Sequence, residues 1–384
     1  MKNIYLDYSA TTPIKEEVLD AMMPYFKENY GNPSNIYSLG LKSKIAIEEA
    51  RKNIAELINA DYDEIYFTAS GSEADNWAIL GTAEKLKDKG RHIITGKIEH
   101  PAVLNTLEYL EKEGYDVTYL DVNKDGLIDP SDLIKAIRKD TILVSIMMAN
   151  NEIGTVQPIK RLIEIAHENH VLFHSDGVQA LSNIPIDVKK LDVDMMAFSA
   201  HKIHGPKGIG AIYIKKGREP INLIYGGHQE NGRRAGTENV PGIVGFGKAA
   251  ELAKENLKAH IDHCLNLRNY LADEIYRGIF HSKVNGSMLY RLPGNLNVSF
   301  SSIEGEAILL MLNQMGISVS TGSACSSGEG KPSHVLRAIG VEDNMIHGTI
   351  RFSIGDFTTK EDIDYVVDSL KNIVKKLRDI SPIK

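Results

Sequence analysis

Residues 195–214 read MMAFSAHKIHGPKGIGAIYI, two apolar runs separated by a polar, glycine-rich segment. Short apolar runs bounded by glycine and proline are typical of strands that are buried on both faces of a sheet. Helical patterns such as Ile159–Asn169 lie between further runs of this kind. The predicted strands are Glu64–Thr68, His92–Thr95, Val117–Leu120, Ile142–Met147, Val171–His174, Met195–Ser199 and Ile209–Ile214. This alternation of strands and helices predicts an α/β fold with a large, mostly parallel sheet covered on both faces.

The chain is long enough for two domains, because 384 residues exceed what one hydrophobic core usually serves. A long helical pattern, Val240–Arg277, leads out of the α/β region. The remainder resembles a smaller α+β unit, with strands near Asn297–Phe300 and Thr349–Ile354. We predict a large domain over residues 15–260 and a small one formed by residues 1–14 and 261–384.

Composition indicates an ordinary globular protein of the cytoplasm. A net charge of −7 argues against a nucleic-acid-binding surface. No stretch approaches the roughly 20 apolar residues of a membrane span, and the first residues, MKNIYLDYSATTP, lack the apolar core of a signal peptide. Two cysteines, Cys264 and Cys325, form no disulfide framework and suit a reducing compartment. We expect a cytoplasmic protein that binds neither membrane nor nucleic acid.

Two segments at the ends of predicted strands have the chemistry of a ligand site. Ala69–Asn76 is ASGSEADN, and a helix that starts there would leave backbone N–H groups free for a phosphate. The alternative is plain N-capping by Ser72. Asp176 lies at the carboxyl edge of the predicted sheet, where open α/β proteins bind ligands, and a carboxylate there can hold a protonated ring nitrogen. A helix N-cap is again the alternative.

A lysine and a histidine follow other predicted strands. Lys202 comes directly after the strand that ends at Ser199, and partial desolvation would lower its pKa and free its amine for a Schiff base. Lys207, in a Gly-Pro turn, is the nearest rival, and most lysines are simply solvated. His100 precedes Pro101 at a predicted helix start and could stack on a cofactor ring or move protons, although a core or surface histidine is the more common case.

Cys325 lies in STGSACSSGEGKP, residues 320–332, where three glycines and four serines predict an exposed, mobile loop. A thiol on such a loop suits a nucleophile that must visit two places, whereas Cys264, within a helical pattern, is predicted to be structural. Arg351 is a lone cation in a strand-like run, and its fork suits a substrate carboxylate. A structural Arg–Asp pair is the open alternative.

Three patterns that resemble metal sites do not meet the requirements of one. Asp121–Asp132, DVNKDGLIDPSD, matches an EF-hand loop in part, but a strand pattern precedes it and Asp132 replaces the usual Glu, so we interpret it as a turn. A second set, His167, His170 and His174, crosses from a helix to a strand. The third set is His260, His263 and Cys264, on one helix face. We therefore predict no metal site.

Taken together, the motifs closely resemble the cysteine desulfurases of the nitrogenase and general iron–sulfur-assembly types, along nearly the whole chain. The matching segments are YLDYSATTP at 5–13, GNPS at 31–34, FTASGSEADN at 67–76, EHPAVL at 99–104, NNEIGTVQPI at 150–159, HSDGVQA at 174–180, SAHKIHGPKGIG at 199–210, GGHQENGRRAGTEN at 226–239, GSACSSG at 322–328 and PSHVLRAIG at 332–340. The resemblance implies the pyridoxal 5'-phosphate (PLP) fold type I of the aspartate-aminotransferase-like enzymes, and a homodimer.

The resemblance also implies a role for particular residues. Lys202 would form the Schiff base with PLP, Cys325 would be the nucleophile that becomes a persulfide, and His100 would stack on the ring and assist proton transfer. Further implied contacts are Asp176 with the ring nitrogen, Gln179 with the ring hydroxyl, Gly71, Ser72, Ser199 and His201 with the phosphate, Thr237 from the partner subunit, and Asn151 and Arg351 with the substrate carboxylate.

The implied reaction takes sulfur from L-cysteine, releases L-alanine, and passes the persulfide sulfur to an acceptor protein such as an iron–sulfur scaffold. Departures from the family pattern are small: Ser72 replaces a common Thr, and STGSAC and HSDGVQA replace SSGSAC and a more usual HVDAVQA. The alternatives are a selenocysteine lyase, a class-V aminotransferase, and a non-enzymatic scaffold. Retention of Lys202, Asp176, His100 and Cys325 argues against the last, and the acceptor stays open among cluster scaffolds, tRNA-thiolation enzymes and nitrogenase assembly.

Overall fold

The computed structural model describes residues 3–321 and 332–380. Its strands are β1 (Ile4–Tyr5), β2 (Ile65–Thr68), β3 (His92–Gly96), β4 (Asp116–Leu120), β5 (Thr141–Ser145), β6 (Leu172–Asp176), β7 (Met195–Ser199), β8 (Gly210–Ile214), β9 (Ser282–Val284), β10 (Asn295–Phe300), β11 (Ile317–Ser318) and β12 (Thr349–Ser353). Its helices are α1 (Glu16–Met22), α2 (Pro24–Lys27), α3 (Ser38–Ile58), α4 (Gly71–Leu86), α5 (Pro101–Lys112), α6 (Pro130–Ala136), α7 (Ile159–Glu168), α8 (Val188–Leu191), α9 (Val240–Gly278), α10 (Gly305–Gln314), α11 (His334–Ala338), α12 (Asp343–Ile346) and α13 (Lys360–Ile380).

Seven strands form the central sheet, in the order β2-β8-β7-β6-β5-β3-β4. Strands β7, β6, β5, β3 and β4 run parallel to one another, whereas β8 runs antiparallel to both β2 and β7. The predicted α/β fold with a mostly parallel sheet is therefore confirmed.

Both faces of this sheet are covered, which explains the unbroken apolar runs in the sequence. On β7, Met195 and Ala197 belong to one apolar core and Met196 and Phe198 to another. The first core also contains residues of α4 and α5, and the second contains residues of α3, α7 and α9. Since successive side chains of a strand point to opposite faces, helices on both sides were required to bury them.

A second region packs around β10, the C-terminal half of α9, α10 and α13. Strands β12, β10 and β9 form an antiparallel sheet, and β1 pairs in parallel with β11, so the N-terminus lies with the C-terminal part of the chain. Helix α9 contributes Phe246 to the core that contains Met196 and Phe198, and Leu271 to the core of the second region. The domain bounds at residues 14 and 260 stay a prediction.

Six of the seven predicted strands of the large sheet differ from the observed ones by one or two residues at an end, and in two cases a side chain takes a backbone group away from the sheet. The strand predicted to end at Met147 ends at Ser145, and the Met147 N–H instead donates to both carboxylate oxygens of Glu99. The strand predicted to begin at Glu64 begins at Ile65, because Glu64 closes a capping box with Asp61. Strand β4 directly precedes the EF-hand-like segment, as predicted.

Helices α3 and α9 pack so closely that a glycine is required between them. An added Cβ at Gly247 would lie 2.4 Å from both Cα and Cβ of Ala50. We expect Gly247→Ala to destabilise the protein by up to about 2 kcal/mol, because overpacking against backbone costs about 1–3 kcal/mol and alanine gains only ~1 kcal/mol over glycine in a helix. Urea unfolding measures this change.

Gly278→Ala is the matched control in the same helix. Its added methyl would contact only the end of the Lys371 side chain, which can move away. We expect no loss of stability there, and equal effects of the two substitutions would contradict the close approach of α3 and α9.

Candidate active site

An open cleft of about 970 Å³ lies where the carboxyl ends of the parallel strands meet the second region. Parallel strands all present the same end to one edge of the sheet, so the loops after β3, β5, β6 and β7 converge there. Most of the residues predicted for the site line this cleft: Gly71, Ser72, His100, Asn151, Asp176, Gln179, Ser199, His201, Lys202 and Arg351. Thr237 is exposed and does not line it, and Cys325 lies outside the described residues.

Lys202 ends a short 3-10 helix, Ala200–Lys202, directly after β7. Its Nζ donates to the backbone oxygens of Ser9 (2.6 Å) and Ala10 (2.8 Å). Its rival Lys207 also lines the cleft but is exposed. The structure thus places a half-buried amine at the carboxyl edge of the sheet, as the sequence predicted.

Asp176 is the last residue of β6 and is buried. Its Oδ1 accepts from the Val178 N–H (2.9 Å), but turns and not a helix follow it, so the alternative of a helix N-cap was wrong. Within residues 3–321 and 332–380 it forms no ion pair, and burial raises the pKa of Asp176 to about 6, with nearby Asp75 adding to the shift. A buried carboxylate without a cation is suited to a protonated ring nitrogen.

His100 caps α5, since its Nδ1 accepts from the Ala102 N–H (3.1 Å). Burial lowers the pKa of His100, although Asp176 opposes the shift. The ring is therefore neutral near pH 7, and its proton is assigned to Nε2 because Nδ1 accepts.

The start of α4 is the candidate phosphate cradle. Ser70, and not Ser72, is the N-cap: its Oγ accepts from the Glu73 N–H (3.1 Å). The predicted alternative, an N-cap at Ser72, was therefore wrong, because the cap lies two residues earlier. Ser72 lies in the first turn of α4 and lines the cleft. A Cβ at Gly71 would come within 2.7 Å of Val178 Cγ2, so only glycine lets the helix start approach the turn after Asp176.

The N-terminal segment supports this site from the other side. Gln179 Nε2 donates to Ser9 O (2.9 Å), which leaves its side-chain oxygen for a ligand hydroxyl. His201 Nδ1 lies 3.1 Å from Thr11 Oγ1, and burial, together with Lys202, lowers the pKa of His201 to about 4. His201 is therefore a neutral hydrogen-bonding group at neutral pH.

Arg351 comes from β12 and is 2% exposed. Its Nη2 donates to Asp7 Oδ1 (2.6 Å) and its Nη1 to Asn151 O (3.1 Å). The alternative interpretation, an Arg–Asp pair, is therefore confirmed. The same arginine lines the cleft, and its binding of a substrate carboxylate stays a prediction.

Four further titratable residues of the cleft were missed: Asp75, Glu99, Glu152 and His334. Burial raises the pKa of Asp75 to about 8, that of Glu152 to about 7, and that of Glu99 well above its usual value. His334 Nε2 lies 3.0 Å from Glu99 O, and burial lowers its pKa. Glu99 and Glu152 adjoin the predicted residues His100 and Asn151, which was the available signal.

The candidate metal patterns serve other contacts. His167 lies 2.8 Å from Asp194, whereas His174 Nδ1 lies 2.9 Å from Ser145 Oγ. Cys264 is buried, with Sγ 3.6 Å from Ile354 O, and burial raises the pKa of its thiol to about 12. No group of three His, Cys, Asp or Glu side chains suited to a metal occurs in the described part of the chain. No helix there is long and apolar enough to cross a membrane.

Known proteins share both the sequence and this architecture. The family model described as aminotransferase class-V matches residues 4–366. Cysteine desulfurases named IscS from Dictyoglomus turgidum and Methanosarcina thermophila are each 53% identical over the full chain and are covered over 97% and 94% of their own length. The chain belongs to the cysteine desulfurases of the class-V aminotransferase family. This confirms the predicted family, and with it a PLP-dependent enzyme.

Solved structures agree with this assignment. A NifS-like protein superposes with a TM-score of 0.93 at 38% identity, over 98% of this chain and all of that one. SspA in complex with cysteine superposes with a TM-score of 0.81 at 37% identity, over 93% of this chain and all of its own. The fold of this desulfurase is therefore that of its family.

The residues of the cleft fit PLP. Asp176 offers a buried carboxylate for the ring nitrogen, the start of α4 with Gly71 offers unblocked N–H groups for the phosphate, and Lys202 offers an amine for the aldehyde. Two of the three recognise charge and one is a nucleophile, which is the combination this cofactor requires.

Asp75 yields a pH prediction. Because burial raises its folded-state pKa from 3.8 to about 8, the stability tied to its protonated form is complete below about pH 4 and is lost as pH rises through about 8. Asp75→Asn cannot ionise, so its advantage over wild type in free energy of unfolding should grow over that window, by at most ~1.4 kcal/mol per pH unit. Denaturant unfolding of the cofactor-free protein at several pH values measures it.

Asp61→Asn is a control of opposite sign. Hydrogen bonds from Lys189 and Lys216 lower the pKa of the exposed Asp61, so its contribution is present above about pH 4 and is lost as pH falls. A pH-independent difference between Asp75→Asn and wild type would contradict a buried, proton-bearing Asp75.

Proposed function

We propose that the chain converts L-cysteine to L-alanine in this cleft and collects the sulfur as a persulfide on Cys325. The observation that carries the proposal is the convergence of Lys202, Asp176 and Arg351 on one cleft. An amine for the cofactor, a carboxylate for its ring and a cation for an amino-acid carboxylate together describe a PLP enzyme that acts on an amino acid.

PLP, when bound, supplies an electron sink that weakens bonds at the substrate's Cα and Cβ. Asp176 would hold its ring nitrogen and Gln179 its ring hydroxyl, while Lys202 would hold its aldehyde carbon. The residues that would hold its phosphate are Gly71, Ser72, Ser199 and His201. His201 would act as a neutral donor, because burial keeps its pKa near 4.

Proton movement falls to His100 and Lys202. His100 is neutral near pH 7, and its Nδ1 is occupied by the Ala102 N–H, so Nε2 is the atom left to face the cofactor and substrate. Lys202 carries an amine in the same cleft that can also accept a proton. We assign transfer of the Cα proton to this pair.

The substrate carboxylate is assigned to Arg351 and Asn151. Arg351 Nε is buried and finds no hydrogen-bond partner among the described residues. A buried guanidinium N–H without an acceptor is costly, so a carboxylate that reaches it gains a charge-assisted hydrogen bond.

The segment that carries Cys325 begins and ends at the cleft. Ser320 pairs through its backbone with Arg351 (N–H to oxygen, 3.2 Å and 2.6 Å), and His334 lines the cleft. Five residues of extended chain span at most about 17 Å, so Cys325 is within reach of sulfur bound beside Arg351. Its thiolate would attack the substrate sulfur and form the S–S bond of a persulfide as the Cβ–S bond breaks. The electron pair of that bond would stay with the carbon, Cβ would take up a proton, and the three-carbon remainder would leave as alanine.

The proposal includes a homodimer, to which Thr237 of the partner subunit contributes a phosphate contact. An exposed apolar set near the N-terminus supports this: Phe26, Tyr30, Ile36, Tyr37, Leu41 and Ile45. Ile36 is 91% exposed, which is unusual for a large apolar side chain unless another surface covers it. The exposed position of Thr237 on the single chain also fits a contact made across subunits.

The persulfide sulfur would pass to an acceptor protein, for which an iron–sulfur scaffold is our first candidate and tRNA-thiolation and nitrogenase assembly proteins are the others. The reducing cytoplasm is the proposed compartment, because a persulfide-forming thiol must stay reduced between turnovers.

Cys325→Ala tests the nucleophile. We expect it to bind PLP normally, shown by the yellow colour, but to release alanine and sulfide from L-cysteine at least about a hundredfold more slowly in the presence of a dithiol, because no thiolate receives the sulfur. Wild type should release the two products in equal amounts.

Cys264→Ala removes the other thiol and should retain full activity, since Cys264 packs in the second core away from the cleft. Wild-type rates from Cys325→Ala would remove Cys325 from the mechanism and favour a selenocysteine lyase or an aminotransferase.

A further inference from the structure

Arg351 is paired with a carboxylate of the chain itself. Asp7 Oδ1 accepts from Nη2 at 2.6 Å, and Asn151 O accepts from Nη1 at 3.1 Å. A guanidinium has five N–H donors in a planar fork, so these two bonds leave Nε and part of the fork for a second carboxylate. A substrate that binds Arg351 therefore places its carboxylate beside that of Asp7.

The backbone fixes Asp7 in this position. The Leu6 N–H donates to Ser318 O (2.8 Å), and the Ser353 N–H donates to Leu6 O (2.8 Å). Asp7 itself forms a bridge with Ser353, two residues beyond Arg351 on β12. Because the backbone of residues 6–8 is held by strand pairing, the Asp7 side chain starts beside Arg351 when a second anion arrives.

The remaining acid next to Arg351 does not replace Asp7. Glu152 is buried and is affected by the charge of Arg351, but its Oε2 accepts from Ser333 Oγ (2.6 Å), and burial raises its pKa to about 7. Glu152 is therefore only partly ionised at neutral pH, whereas Asp7 is in direct contact with the guanidinium.

We propose that Asp7 is a positioning residue that orients Arg351 and lowers its affinity for the substrate carboxylate. The proposal rests on the assignment of that carboxylate to Arg351. Two anions on one buried guanidinium repel each other with little screening. L-Alanine carries the same carboxylate as L-cysteine, so an arginine without Asp7 would bind the product more tightly as well, and binding both equally does not speed the reaction.

The test uses the PLP-loaded enzyme with 3-mercaptopropionate and its methyl ester, which have a thiol but no amine. Asp7→Asn keeps an oxygen for Arg351 and removes the charge. We expect it to bind 3-mercaptopropionate about tenfold more tightly by calorimetry and the ester unchanged. Asp7→Ser should tighten binding in the same sense, and Asp7→Glu, which keeps the charge, should not.

Steady-state kinetics give a second measurement. Asp7→Asn should lower KM for L-cysteine by a similar factor without raising kcat, because tighter binding extends to the product. Weaker or unchanged binding of 3-mercaptopropionate in both neutral variants, or equal changes for acid and ester, overturns the proposal and leaves Asp7 a structural role.

Arg351→Gln separates this failure from that of the site assignment. If it weakens binding of the acid but not of the ester, the carboxylate is recognised at Arg351, whatever Asp7 does. If it changes neither, the substrate carboxylate binds elsewhere and the assignment of Arg351 fails together with the proposal.

Discussion

The cleft depends on hydrogen bonds to one short segment, residues 7–12. Its backbone carbonyls accept from Lys202 and Gln179 on the large sheet, and its Thr12 N–H donates to His201 O (3.0 Å). Its first residue pairs with Arg351 from the second region. The segment thus fixes the distance between the group that would bind the cofactor and the group that would bind the substrate.

Burial sets the charges around this segment. It raises the pKa of Asp75 to about 8, so this acid carries a proton at pH 7, and it raises the pKa of Glu99 well above its usual value. It also keeps His100 and His201 uncharged. In the proposed site the start of α4 and its N–H groups would offset the charge of the phosphate, because the nearby His201 imidazole would contribute a hydrogen bond but no charge.

The sequence was sufficient for the sheet and for residues at the ends of its strands. The apolar run at 195–199 located β7. Because the same stretch shows where the strand ends and in which direction the chain runs, it also placed Lys202 at the carboxyl edge of the sheet. Side-chain competition for backbone groups was not visible: Glu99 takes the N–H of Met147, and Ser70 caps α4 in place of Ser72. The pair of Asp7 with Arg351 joins residues 344 positions apart and arises only when residues 6–8, directly after β1, pair with β12.

Burial of Asp176 has a further consequence for binding. Desolvation makes its ionised form costly, which is why its pKa rises to about 6. A protonated ring nitrogen beside this carboxylate would offset that cost. By linkage, a carboxylate whose ionised form is destabilised by burial gains more from a neighbouring cation than an exposed carboxylate does. The low-dielectric setting that disfavours a charged Asp176 therefore also strengthens its preference for the protonated form of the ring, the form that withdraws electrons from the substrate.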